Sequence, residues 1–271
     1  MPGEITSRKN EVVRDMVRLS NSAAYRKERR RFVAEGARLC CDAAKSGAPI
    51  CLLLYTRQAE EKYAPYLAPV REAAGEQYLI SPEVASLLAG TKSPQGVFCV
   101  CGLPEAPRDF PKTAEGGHCL VLENIQDPAN LGAMLRTAEA LGIRSVLLGG
   151  GCCDAYSPKV LRASMGAVFR LPLFPSPDAP LALKRLREAG FLTLAAVPDA
   201  SAVPVTSLRF DKPAAVAVGN EGSGLTEETQ RACAERVTIP MRGRAESLNA
   251  AASAAILMWE LVRAETGGDS E

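Results

Sequence analysis

The chain has 271 residues, 47% hydrophobic and 23% charged, the balance of a soluble globular protein long enough for two modest domains. No apolar run is long enough to span a bilayer, and MPGEITSRKN has neither the apolar core nor the cleavage site of a secretory signal, so a cytoplasmic protein with no membrane partner is expected. The nine cysteines include no C-x-x-C and the only histidine is His118, so no metal site is expected and histidine-based catalysis would rest on one residue. His118 opens the strand-like run HCLVLEN, which favours a structural role.

The formal net charge of +1 conceals an asymmetry, because residues 1–31 hold nine Lys and Arg against four acids. The densest run, RKERRR at 26–31, supplies Arg26, Lys27, Arg29, Arg30 and Arg31. Such a run is either a solvated helix face or an arm that binds phosphates.

Residues 104–117, PEAPRDFPKTAEGG, hold three prolines and two adjacent glycines and read as a linker between 1–103 and 118–271. In the first part, apolar spacing predicts a helix over 31–45, a strand over 50–55, a helix over 58–67 and a strand over 76–80. Ser81 and Pro82 open a further helix, and Gln95–Cys101 reads as a strand. This is a small α/β/α domain. In the second part, strands are predicted at 118–123, 143–148, 168–173, 191–197, 214–218 and 236–240. Helices are predicted at 128–141, 157–165, 179–189, 225–235 and 247–264. The strand runs CLVLE, SVLLG and AAVAVG are continuously apolar, as in a buried parallel sheet. Ligand sites in such sheets lie beyond the carboxyl ends of the strands, which points to the loops after 123, 148, 197, 218 and 240.

Three segments follow such strand ends. In ENIQDPANLGAMLRTAEALG (123–142), Asp127 and Pro128 start a helix whose buried stripe is Leu131, Met134, Leu135, Ala138 and Leu141, leaving Asn130 and Arg136 off it. The helix start suits an anion with Arg136 nearby, or the segment is an ordinary crossover helix. In VAVGNEGSGL (216–225), three glycines permit positive φ and close backbone approach, and Glu221 is either a helix-start acid or a site carboxylate. The loop is neither a P-loop nor the G-x-G-x-x-G turn, which counts against a Rossmann-type oxidoreductase. In VTIPMRGRAESLNAAASAAILMWEL (237–261), Ser247 is the expected N-cap of an alanine-rich helix suited to the domain core or a subunit contact.

Together the three segments resemble the SpoU (TrmH-type) branch of the SPOUT RNA methyltransferases. The matching positions are Asn124, Asn130-Leu131-Gly132, Arg136-Thr137-Ala138, Gly219–Leu225, Ile239-Pro240-Met241 and Ser247-Leu248-Asn249, and the resemblance covers residues 118–264. The family often carries a second asparagine close to Asn130, where this chain has Pro128-Ala129. RRRFVAEGARL (29–39) and TKSPQGVFCV (91–100) resemble the L30e-like substrate-binding domain that precedes many SpoU domains. That pairing turns the reading of the basic run towards RNA contact.

The resemblance implies an α/β, SPOUT-type parallel sheet with a C-terminal trefoil knot, working as a homodimer with its sites near the subunit boundary. It implies S-adenosyl-L-methionine as cofactor and a ribose 2′-hydroxyl of RNA as methyl acceptor, in ribosomal RNA first and transfer RNA second. It assigns Arg136 as base or phosphate clamp, with Asn130, Glu221, Ser247 and Asn249 as positioning groups. Gly219, Asn220, Gly222, Ile239, Met241 and Leu248 would bind the cofactor, with Ala196–Val197 and Leu148–Gly149 as lesser candidates. The alternative is a non-catalytic RNA-binding or ribosome-assembly protein on the same fold, which would be marked by loss of Asn130, Arg136 or Asn249.

Overall fold

Strand and helix signals alternate along the chain, and a computed structural model places them for residues 3–91, 93–105, 107, 110 and 117–263. Most of the linker read at 104–117 lies outside the described residues. Contacts divide the chain into two units, Met1–Glu105 with Asp154–Arg170, and Ala106–Cys153 with Leu171–Glu271.

The first unit starts with β1 (Glu4–Ile5) and two helices. Asn10 caps α1 (Glu11–Asn21), accepting from Val12 N at 2.9 Å, and Val13, Met16 and Leu19 form its buried stripe. Ser22 then caps α2 (Ala23–Arg29), accepting from Tyr25 N at 3.2 Å. The helix predicted over 31–45 is instead β2 (Arg31–Glu35) followed by α3 (Ala37–Lys45). Phe32, Val33 and Ala34 are all buried, and a run buried on both sides carries no period that separates strand from helix. The break is at Gly36, whose φ of 107° an L side chain adopts only with strain.

β3 (Ile50–Tyr55), α4 (Arg57–Lys62), α5 (Ala64–Ala73), β4 (Ala74–Ile80), α6 (Pro82–Leu88) and β5 (Val97–Gly102) complete the main part of this unit. Ser81 caps α6 as predicted, accepting from Val84 N at 3.4 Å. The five strands run in the order β1-β4-β3-β5-β2, with β5 antiparallel to both neighbours and the other pairs parallel.

The second unit contains β6 (Cys119–Leu122), α7 (Pro128–Ala140) and β7 (Ser145–Leu148). The chain then passes through α8 (Pro158–Ser164), which belongs to the first unit, before β8 (Leu173–Pro175), α9 (Ala179–Glu188), β9 (Leu192–Ala196) and β10 (Val203–Pro204). β11 (Ala214–Val218), α10 (Glu227–Ala232), β12 (Glu235–Thr238) and α11 (Ala250–Val262) follow. The seven strands pair in parallel in the order β10-β12-β9-β11-β6-β7-β8. The core between sheet and helices includes Val121, Leu147, Leu183, Leu186, Ala215 and Ala217. His118 is buried, and its Nδ1 accepts from Ala214 N at 3.0 Å, a structural bond at the start of β6.

One sequence expectation fails within 154–173. The strand predicted at 168–173 is a 3-10 turn at Ala167–Phe169, and pairing with β7 begins only at Leu173. By contacts, the stretch 154–170 groups with the first unit. There Phe32 lies 5.1 Å from the Tyr156 ring and 6.0 Å from Phe169. Burial pushes the Tyr156 hydroxyl pKa up to about 12.

Arg26 is a further correction. The basic run groups it with the RNA-contacting cations, but it is only 4% exposed. Its Nε donates to Asp154 at 2.6 Å and its Nη1 to Leu19 O at 2.6 Å. Arg26→Ala leaves the partly exposed Asp154 carboxylate with the Tyr156 N–H at 2.8 Å but without its cation, and is expected to cost about 1–2 kcal/mol, seen as an earlier urea midpoint. Arg30→Ala, at an exposed position, should shift stability by less than about 0.5 kcal/mol. Equal midpoints for the two variants would show that the Arg26 pair carries no structural load.

Candidate functional site

The loop after β11 is built on Asn220. Its N–H donates to Gly224 O at 3.1 Å and its carbonyl accepts from Gly224 N at 3.0 Å, closing the loop on itself. Its side-chain oxygen accepts from Gly222 N at 2.9 Å and Ser223 N at 3.0 Å, while its amide nitrogen donates to Asn124 O at 2.9 Å. A Cβ on Gly219 would lie 2.3 Å from backbone atoms of Gly224 and Leu225. The close approach that requires this glycine is therefore to the loop's own chain.

Glu221 projects from this loop to the start of α7. Its Oε1 accepts from Asn130 Nδ2 at 3.0 Å and from Asp127 N at 3.3 Å. Partial burial pushes its pKa up, but hydrogen bonds from Asn130 and from backbone N–H groups together outweigh it and hold the pKa below the ordinary carboxylate value. Asn130 Oδ1 in turn accepts from Asn249 Nδ2 at 3.0 Å, and Asn249 Oδ1 accepts from Ala251 N at 2.9 Å and Ala252 N at 3.2 Å. Every donor in this line points the same way, from the N-terminus of α11 through two amides to a carboxylate. The partners at both ends fix the orientation of each amide.

Two expectations change here. Asn130, placed off the buried stripe by its polarity, is 9% exposed, because both ends of its amide have partners. The N-cap of the last helix is Asn249, not Ser247. Ser247 stays in the exposed segment 240–249, and its hydroxyl has no hydrogen-bond partner among the described residues.

A cleft of about 180 Å³ opens at the carboxyl ends of β9, β11 and β12. Its walls include Ala196, Val197, Gly219, Asn220, Gly222 and Ile239. Met241, Glu221, Ser247 and Leu248 also border it. The loops after 197, 218 and 240 thus converge, whereas Leu148–Gly149 do not line the cleft. Asn130 and Asn249 stand behind it, one hydrogen bond from Glu221 and two bonds from it respectively. Arg136 is not brought to the cleft. Six residues beyond Asn130 on α7, it lies on a different face of the helix and is exposed.

Sequence reasoning missed Glu123. It is buried, and it accepts from Thr226 N at 2.8 Å and from the Thr229 hydroxyl at 2.5 Å. These bonds fasten the end of β6 to the start of α10, just past the glycine loop. The only local sign was an acid at the end of an apolar strand. Among the described residues, no three His, Cys, Asp or Glu side chains form a metal-binding group, and no helix is long and apolar enough to cross a membrane.

Residues 117–259 match the SpoU rRNA Methylase family, and residues 10–99 match the MRM3-like substrate binding domain. The 23S rRNA (guanosine(2553)-2′-O)-methyltransferase of Bacillus subtilis is 31% identical to this chain, over 95% of it and 98% of that protein. The AdoMet-bound rRNA methyltransferase of Sinorhizobium meliloti superposes with a TM-score of 0.86 at 30% identity, covering 96% of this chain and 97% of that one. The SpoU methyltransferase AviRb of Streptomyces viridochromogenes, in complex with AdoMet, gives a TM-score of 0.84 at 29% identity over 96% of this chain and 100% of that one. The chain therefore belongs to the SpoU rRNA methylase family, with an MRM3-like substrate-binding domain ahead of the methylase domain.

Proposed function

We propose that this protein transfers a methyl group from S-adenosylmethionine to a ribose 2′-hydroxyl of ribosomal RNA. The observation that carries this reading is the line from Asn249 through Asn130 to Glu221, which locks the three motifs together beside one cleft. The cleft fits an adenosyl amino acid in kind. It offers backbone edges at three strand ends for polar recognition, and Val197, Val218 and Leu257 as apolar walls for a flat ring.

When bound, S-adenosylmethionine supplies an electrophilic methyl on a sulfonium. The chain's own residues do the rest. Ala196, Val197, Ile239, Met241 and Leu248 border the cofactor, with Gly219, Asn220 and Gly222 presenting the glycine-loop backbone. Glu221, held ionised, anchors Asn130 and Asn249 and so fixes the loop against α7 and α11. The Ser247 hydroxyl, on the rim of the cleft, orients the acceptor ribose. The 2′-hydroxyl passes its proton to solvent water as its O–CH3 bond forms and the S–CH3 bond of the sulfonium breaks, leaving a neutral thioether, and the charge that develops on oxygen needs a stabilising partner. Arg136 fills that role by clamping the adjoining phosphate and stabilising the alkoxide, since a guanidinium stays charged at neutral pH. Lys27, Arg29, Arg30 and Arg31, all exposed, contribute to phosphate binding in the first unit.

The same reading includes three further features. The return of the chain from β12 to α11, which packs on α7 and β11, is the C-terminal trefoil knot. The first unit, a mixed sheet with helices, is L30e-like. The protein is a homodimer through α11, where Ile256 is 37% and Trp259 is 47% exposed, and Arg136 completes a site at the subunit boundary.

S-adenosylmethionine at a hundredfold over its dissociation constant should stabilise the protein by about 2.7 kcal/mol without RNA, a rise of several degrees in Tm. Calorimetry and thermal melting measure this. No shift at millimolar cofactor would contradict the assignment of the cleft.

A further inference from the structure

The first unit has a groove of its own, of about 700 Å³, between α1 and α2 and the sheet. Arg14, Arg18, Arg29 and Arg31 stand around it, and Tyr25 lies among them. All four arginines are exposed, and none forms an ion pair among the described residues. The floor is apolar, formed by Met16, Leu52 and Val100. The Arg18 guanidinium lies 4.1 Å from the centre of the Tyr25 ring, and that of Arg29 lies 5.9 Å from it. Three acids also line the groove, Glu11, Asp15 and Glu76. Two of them are engaged, because Asp15 accepts the Tyr25 hydroxyl and Glu76 accepts the Tyr78 hydroxyl at 3.1 Å.

We infer that this groove binds an unpaired, single-stranded segment of the substrate RNA, with a base stacked on the Tyr25–Arg18 pair and its phosphates on Arg14, Arg29 and Arg31. The inference rests on the RNA methyltransferase reading and adds a site to it. Cations alone would serve a duplex backbone equally well. An apolar floor with an aromatic ring inside an arginine rim suits a splayed base, whose flat faces are covered in a helix. Tyr25 and its hydroxyl bond to Asp15 hold the ring in place, and the ring in turn holds Arg18. The basic run at 26–31 supplies only part of this site, because Arg26 is turned inward and Arg14 and Arg18 come from α1.

The test uses the full chain with a fluorescent single-stranded octanucleotide, the same sequence as a duplex, and polyglutamate as competitor. The single strand is expected to bind more tightly than the duplex. Tyr25→Leu, which keeps apolar bulk without the π-face, should weaken single-strand binding about tenfold. The double substitution Arg14→Ala and Arg18→Ala, at exposed positions, should reduce the slope of log K against log salt by about 0.7 for each phosphate it leaves without a cation. It carries the test even if Tyr25→Leu unfolds. In methyl transfer to ribosomal RNA, the arginine variant should raise KM with kcat unchanged.

Equal binding of duplex and single strand, with neither variant weakened, overturns the inference. So does displacement of the RNA by polyglutamate at comparable concentration, the mark of a protein-binding site. Wild-type KM in the arginine variant, with normal methyl transfer, removes the groove and leaves the enzyme reading intact. Groove-dependent RNA binding with no methyl transfer by the wild-type chain does the reverse.

Discussion

Arg136→Ala is expected to reduce methyl transfer at least about 10²–10³-fold while S-adenosylmethionine affinity stays within about twofold of wild type. The asymmetry follows from geometry. Arg136 is exposed on α7 and does not line the cleft, so its loss removes nothing that the cofactor touches. It does remove the only motif cation proposed to meet the phosphate and the charge developing on the ribose oxygen. Arg136→Lys keeps the charge and loses the planar fork. Substantial activity in the lysine variant indicates a charge role, and little activity indicates bidentate clamping. Single-turnover transfer with calorimetry in parallel reads both quantities. A wild-type rate in the alanine variant would defeat the proposed mechanism.

Asn130 should show a different signature. Asn130→Ala removes the donor to Glu221 and the acceptor for Asn249 together, so both the glycine loop and the start of α11 lose their tie. Transfer should fall about 10–100-fold with cofactor affinity falling alongside, as expected when supporting groups behind a site are removed. Asn130→Asp sets a second carboxylate against Glu221, at a distance that is 3.0 Å in the native pair. Like charges that close share a proton, so the pair acquires one raised pKa. The shared proton restores a donor between residues 130 and 221. The aspartate variant should therefore be most active below that raised pKa and lose activity as pH rises through it. Wild type lacks this limb, because Glu221 is held ionised with a pKa below the ordinary value. A flat profile at the wild-type rate would mean that the bond does not matter.

The cleft was legible in the sequence because its loops follow apolar strands and carry glycine or proline. VAVGNEGSGL and VTIPM announce both the strand and its end, and parallel topology says which end bears the site. The line through Asn130 was not legible in local terms. Its partners lie 91 and 119 residues away, and a polar side chain on a helix reads as exposed until those partners are known. Arg26 reads wrongly for the same reason, since its partner Asp154 is 128 residues distant. Ser247 and Asn249 are both good caps by type, and only the backbone decides between them. The stretch 154–170 looks like one more piece of the βα series. Its apolar residues are ordinary core residues, and nothing in their spacing says which core they join.

The most direct test of the central claim is a map of 2′-O-methylated riboses in ribosomal RNA from cells with and without this gene. Nuclease fragments are read by mass spectrometry. The account predicts that one ribose loses its 2′-O-methyl group when the gene is absent. Purified protein with S-adenosylmethionine should restore that same group on the unmodified RNA. An identical ribose map in both cells, or a methyl group restored on a base instead of a ribose, would contradict it.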